Sequence, residues 1–242
     1  MIGESPTIER FRRYGATVDP ELRRHLATDA LRGYVSGPDA VVQATEIALE
    51  RAFDARALIL VEGISDQIAV ETLARRLDRV LSDEGVVVLP IGGAHAITRF
   101  LGTFGPDGLD LQLAGLCDRA EADSYLRGLD AAGMGPVADL DAMARLGFHI
   151  CTEDLEDELV RALGQGQVEA LLESQGDLGS FRTLQRQPQW RDAEFDAQIR
   201  RFFGAGARRK SRYARRMVEA LDLDNLPKPL VSVLAAISDD RR

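Results

Sequence analysis

The stretch ALILVEGISDQIAVETLARRL, residues 57–77, decides how the rest of the chain is read. A run of aliphatic residues ends in Glu62, Gly63 turns the chain, and Asp66 opens a segment whose apolar positions recur at helical spacing. A short, continuous apolar run bounded by a turn fits a strand buried on both faces, the usual condition in a parallel sheet. A carboxylate at the end of such a strand is costly unless a cation meets it.

The same alternation repeats outward from this stretch. After the helix expected at 66–81 come GVVVLPI (85–91) as a second strand and GGAHAITRFLGTF as a short helix opened by glycines. LQLAGLCD (111–118) is a third strand, followed by a helix to about Ala132. GFHICT (147–152) is a fourth, with EDLEDELVRALG as the helix after it. Apolar strands alternating with amphipathic helices predict an α/β fold, a mainly parallel four-stranded sheet flanked by helices. We place this core at 57–165, after a helical lead at 1–56 and before a helical extension at 166–242. In the lead, Asp19 and Pro20 read as N-cap and first helical residue, and AVVQATEIALERAFD has helical spacing. The lead is expected to cover the sheet edge and to contribute to a homodimer surface. In the extension, DAEFDAQIRRFF and RKSRYARRMVEALDLD read as helices joined by GAGA. Open parallel sheets put their chemistry at the carboxyl ends of the strands.

Composition narrows the function classes. The chain of 242 residues is 45% hydrophobic and 29% charged, ordinary for a globular protein. Its N-terminus has no apolar central region of a signal peptide, and no apolar run approaches the roughly 20 residues of a membrane span. Two cysteines form no disulfide framework, so a reducing cytoplasm is the expected location. A net charge of −9 argues against broad, nonspecific affinity for nucleic acid. The charge is segregated, however: ARRKSRYARRM (207–217) holds six cations and no acid.

Three of the expected strands end in acids. The first gives Glu62 and Asp66; the third gives Asp118, with Glu121 and Asp123 beyond it; the fourth gives Glu153, Asp154 and Glu156. Carboxylates at neighbouring strand ends raise one another's pKa unless a cation sits between them. Hard oxygen ligands of this kind suit Mg²⁺ or Mn²⁺. Asp66, Glu121 and Asp154 each also fit a plain helix cap, since acids favour helix N-termini. Glu62 does not, because it lies between strand and turn. The coincidence at several strand ends favours a metal site.

LVEGISD before a helix, a second strand ending near GG and a third ending in Asp118 together resemble the Toprim domain of topoisomerases, primases, ribosomal-RNA maturases and OLD-family nucleases. The OLD family is the nearest likeness, over about 57–235, and the chain is similar to stand-alone actinobacterial Toprim proteins labelled as ATP-dependent endonucleases. The resemblance implies a Rossmann-like sheet and two-metal phosphodiester hydrolysis of DNA or RNA. It matches Glu62 and Asp66 to the acids after the first strand, Asp118 to the first of an acidic pair, TEDLEDEL to a later acidic motif, and Lys210 to a lysine near the start of a late helix. On that basis Glu62, Asp118 and the Glu121 region hold one ion, Asp66 with Asp154 or Glu156 holds the other, and Lys210 offsets charge in the transition state. Lys210 reads equally well as one cation of a solvated helix face. Arg208, Arg209, Arg212, Arg215 and Arg216 around it read as a phosphate-tracking surface, with Tyr213 either stacking on a base or half-buried.

The chain departs from the pattern at D-x-D, which here is Asp118-Arg119-Ala120; Glu121 or Asp123 would supply the missing carboxylate. GAGARRKS is no ATP-binding loop, because Arg209 stands where a glycine is required and no strand precedes it. Any ATP dependence would come from a separate ATPase partner. The competing readings are a degenerate Toprim module with a regulatory or nucleic-acid-binding role and a primase-like nucleotidyl transferase. Gly92 and Gly93 are read as opening a helix more than as cradling phosphate. His95 is read as structural, and Cys117 and Cys151 as packed thiols, not zinc ligands with His149.

Overall fold

The computed structural model describes residues 29–237, together with Glu21 and His25. The expected cap at Asp19 and Pro20 lies outside the described residues. The first helix described over its full length is α1 (Ala40–Ala52), followed by β1 (Ala57–Val61), α2 (Ile64–Arg76) and β2 (Val86–Pro90). Then come α3 (Ile97–Phe104), β3 (Gln112–Cys117), α4 (Ala122–Ala131), α5 (Leu140–Arg145) and β4 (Phe148–Ile150). The rest is helical: α6 (Leu155–Ser174), α7 (Leu178–Gln185), α8 (Phe195–Gly204), α9 (Ala207–Ala220) and α10 (Lys228–Ala235).

All four strands are parallel and ordered β2-β1-β3-β4, so β1 and β3 are central. Every residue of β1 is buried, which is why its sequence is apolar without alternation. Successive side chains nonetheless point to opposite faces. Ile59, Val61, Ala114 and Leu116 enter one core with α2, α6, α8, α9 and α10. Leu58, Leu60, Leu113 and Cys117 enter the other with α3, α4 and Phe148. Gly115 is required where β3 meets β4: a Cβ there would stand 2.7 Å from the Phe148 ring and 3.0 Å from the Leu60 carbonyl oxygen.

The helix α1 lies along β2 through Ala40, Ala44, Ala48 and Ala52, a small-residue stripe that repeats every helical turn. The Thr45 hydroxyl donates to the Pro90 carbonyl at 2.6 Å. Pro90 sits on the edge strand, where its missing N–H is tolerated. The extension after residue 165 shares its core with the sheet, since Phe181, Phe202, Phe203 and Tyr213 join the cluster around Ile59. The helix α6 runs across that boundary, broken only at Gly164, whose φ is 74°. At the other end of the sheet α10 is pinned by its last carbonyls. Arg79 donates to Leu234 O at 2.7 Å, Gln112 to Ala236 O at 2.8 Å, and Arg56 to Ile237 O at 3.3 Å. Cationic donors at a helix C-terminus satisfy orphan carbonyls and oppose the macrodipole.

Candidate functional site

The carboxyl ends of β1, β3 and β4 meet at one edge of the sheet, and the acids gather there. Glu62 follows β1 directly. Its backbone is fixed by Gly92 and Gly93, whose N–H groups both donate to the Glu62 carbonyl, at 3.1 and 3.2 Å. Their φ angles of 76° and 107° suit glycine, and their amides are committed to protein, not free to cradle phosphate. The side chain of Glu62 is half-buried, and its Oε2 is buried without a hydrogen-bond partner. Burial and then the Glu121 carboxylate push its pKa up, while the Lys210 ammonium pulls it down.

Asp66 lies in the first turn of α2, where its Oδ2 accepts the Gly63 N–H at 2.9 Å. It therefore is a helix cap, as the plain reading of an acid at this position held. It is also part of the cluster: burial pushes its carboxyl up to about 6 against Lys210 and the Gly63 N–H, with Glu62 and Asp154 adding to the rise. Asp118, at the end of β3, is pushed up to about 8, first by burial and then by Asp66, Glu62 and Asp154. Glu121 ends a short 3₁₀ turn, Arg119–Glu121, that brings it back toward Glu62. Asp123 is exposed and Ala120 faces solvent, so of the two candidates for the missing carboxylate Glu121 is the one beside the cluster.

Asp154 caps α6, accepting the Asp157 N–H at 2.8 Å, and its charge acts on Glu62, Asp66, Asp118 and Glu156. Glu156, two residues on, is buried with a side chain 5% exposed. Burial pushes it up to about 7, opposed by Lys210. Lys210 enters from α9 and sets its Nζ 3.0 Å from Glu156 Oε2, an ion pair without hydrogen-bond alignment. Burial disfavours its charge, but Glu156 and Asp66 outweigh burial and hold it firmly protonated. Glu62, Asp66, Asp118, Glu121, Asp154, Glu156 and Lys210 thus share one electrostatic site, although they span residues 62–210.

The arginines do not form the open basic face expected of them. Arg212 is buried and its guanidinium is held by the Asp177 carboxylate, which also accepts the Tyr213 hydroxyl at 2.9 Å. Tyr213 is fully buried and stacks on Phe203 with ring centroids 4.8 Å apart, so it presents no face to a base. Arg209 covers the Phe202 ring and donates to Phe202 O. Arg215 and Arg216 both pair with Glu219, and Arg216 also reaches Asp29. Arg208 is exposed beside the acids, where it lines a cleft with Arg99 of α3. Arg99 carried no sequence signal of its own.

Cys117 and Cys151 are free and buried in opposite cores, with burial pushing Cys117 up to about 12. His149 is pulled down by burial and by Lys228. These three behave as packing groups. Among the described residues no group of three His, Cys, Asp or Glu stands close enough to hold a metal ion as it is. The donors nevertheless suit a hard divalent ion. Glu62 Oε2 and Glu156 Oε1 are buried without a partner, and Mg²⁺ needs only one or two carboxylates beside water and phosphate.

A parallel sheet with this strand order and acids at three strand ends defines a Toprim fold. Residues 53–119 match the family model described as the Overcoming lysogenization defect protein-like, TOPRIM domain. The fold is similar to the C-terminal region of the Xanthomonas campestris pv. campestris OLD protein, with a TM-score of 0.61 and 23% identity over 77% of this chain and 94% of that one. It is similar also to the C-terminal region of the Burkholderia pseudomallei OLD protein, with a TM-score of 0.58 and 21% identity over 76% and 97%. No curated protein matches the chain.

Proposed function

We propose that the protein is a divalent-metal-dependent nuclease hydrolysing phosphodiester bonds of nucleic acid. The observation that carries this reading is the buried, unpartnered Glu62 Oε2 among carboxylates held above their ordinary range. Glu62, Asp118 and Glu121 would hold one Mg²⁺ or Mn²⁺, and Asp66 with Asp154 or Glu156 a second. Such ions, when bound, make water a nucleophile at neutral pH and stabilise the leaving oxygen. The protein's own contribution is positional. Gly92 and Gly93 fix the backbone that aims Glu62, and the caps at Gly63 and Asp157 fix Asp66 and Asp154. Lys210 stays charged, and an ammonium carries three donors, so it can keep Glu156 while donating to a non-bridging phosphate oxygen. There it offsets negative charge that builds up during attack.

The test is nicking of supercoiled plasmid and cleavage of structured RNA with Mn²⁺, for the wild type and for Glu62→Gln. Cleavage by the wild type that falls at least 100-fold in the variant, the order lost with a key electrostatic group, supports the reading. A second reading, a degenerate module that binds without cutting, is favoured by Asp118-Arg119-Ala120 and by the lack of a ready three-ligand group among the described residues. Silence of the wild type on both substrates at high protein and low salt would select it.

A further inference from the structure

The acidic site opens into a cleft of about 750 Å³, whose floor is Glu62, Asp66 and Asp118. Its far wall comes from residues 31–46, which precede the Toprim match at 53–119. Leu31, Val35, Pro38, Val41 and Val42 form an apolar stretch of that wall, flanked by Ser36, Thr45 and the exposed Glu46. Val41 and Val42 are 39% and 59% exposed, on the helix whose opposite side buries an alanine stripe against β2. Three cations edge the same cleft, Arg99 from α3 on one face of the sheet and Arg208 and Lys210 from α9 on the other.

We propose that this wall is a subsite for an unpaired nucleobase, so that the strand presented to the acids is single-stranded or locally opened. The inference rests on the nuclease reading for the identity of the ligand. The cleft has an anionic floor suited to metal and phosphate, cations on both sides for the neighbouring phosphates, and an apolar wall within the same cavity. A nucleotide has this division of chemistry, a charged phosphate on one side and a flat apolar face on the other. In a duplex that face is stacked and paired, and cannot meet the wall. Only an unstacked base brings both parts in together. The lead segment therefore contributes to substrate choice as well as covering the edge of β2.

The test measures binding by fluorescence anisotropy with Ca²⁺ in place of Mn²⁺. The ligands are one single strand, its blunt duplex, and the same strand with one abasic position, each as DNA and as RNA. The single strand of either sugar should bind roughly tenfold more tightly than its duplex, and the abasic strand should lose much of that advantage. The double variant Val41→Ser, Val42→Ser should weaken strand binding about fivefold, while Val231→Ser, at a valine on α10 as exposed as Val41, should not. Equal affinity for strand and duplex, or no effect of the abasic position, overturns the proposal without any variant having to fold. Strand-selective binding without cleavage by the Mn²⁺-loaded wild type removes the nuclease reading and leaves the subsite. Cleavage of strand and duplex alike, with no selective binding, does the reverse.

Discussion

Glu62 holds a costly position: a carboxylate oxygen out of water, with no donor, beside other acids. Such an arrangement lowers the stability of the metal-free fold, and it persists where function needs it. Glu62→Gln should therefore melt no lower than wild type in chelator, and by about 1 kcal/mol more stably if the amide finds a partner. In calorimetry the same variant should bind Mn²⁺ at least tenfold more weakly; unchanged binding would remove Glu62 from the metal site. The titration of the cluster gives a second expectation. Asp66, Glu156 and Asp118 are pushed up to about 6, 7 and 8 from the ordinary carboxylate range. The native state then holds more protons than the unfolded chain between about pH 4 and 8, so stability is greatest at the acid end and falls as pH rises. Melting in chelator should drop by at least about 5 °C from pH 5 to pH 8. Saturating Mn²⁺ should flatten that slope, because a cation favours the ionised forms. A flat profile in chelator would show the carboxylates to be separately solvated.

At the scale of elements, α9 carries both the best and the worst of what the sequence reveals. Lys210 was marked by the family resemblance and read equally well as a solvated cation; it reaches the acids through Glu156. The arginines around it promised a basic surface, yet Arg212 and Tyr213 turn inward onto Asp177, 35 and 36 residues earlier. Composition shows how many charges a helix carries, and its apolar spacing shows which side packs. Neither shows that an arginine on the packed side has a buried carboxylate waiting from another helix. Asp177 is itself buried, so Arg212→Ala strands an anion in the core. The cost should be about 3 kcal/mol, the range for removing one partner of a buried pair. Chemical denaturation would register it, and Asp177→Asn on the same background should recover part of the loss. A variant as stable as wild type would mean that solvent reaches the pair. The strands were easier to read, since β1 is apolar on every residue and has no other place than a sheet covered on both faces. The acids at the strand ends were legible for the same reason, because a charge following a buried run is conspicuous. Gly92 and Gly93 were read as the opening of a helix; that they grip the Glu62 carbonyl depends on the pairing of β1 with β2, which no local pattern encodes.

Across the whole molecule, a net charge of −9 is combined with a cleft edged by three cations. The acids at its floor would repel a nucleic-acid backbone in the absence of divalent ions, so binding and metal loading should be coupled. How steeply binding falls with salt then reports how many cations the protein offers. Each phosphate neutralised on a single strand contributes about −0.7 to the slope of log K against log salt. Six cations between residues 207 and 217 acting as an open face would give a slope of about −4. The fold withdraws most of them: Arg212 into the core, Arg209 onto Phe202, and Arg215 and Arg216 onto Glu219. With Arg99, Arg208 and Lys210 left at the cleft, the slope should be about −2 at fixed divalent concentration. Arg208→Ala should make it shallower by roughly 0.7, and Arg215→Ala should leave it unchanged. A slope near −4 that responds to Arg215 would mean that the ion pairs with Glu219 open on binding and that the helix surface, not the cleft, tracks the strand.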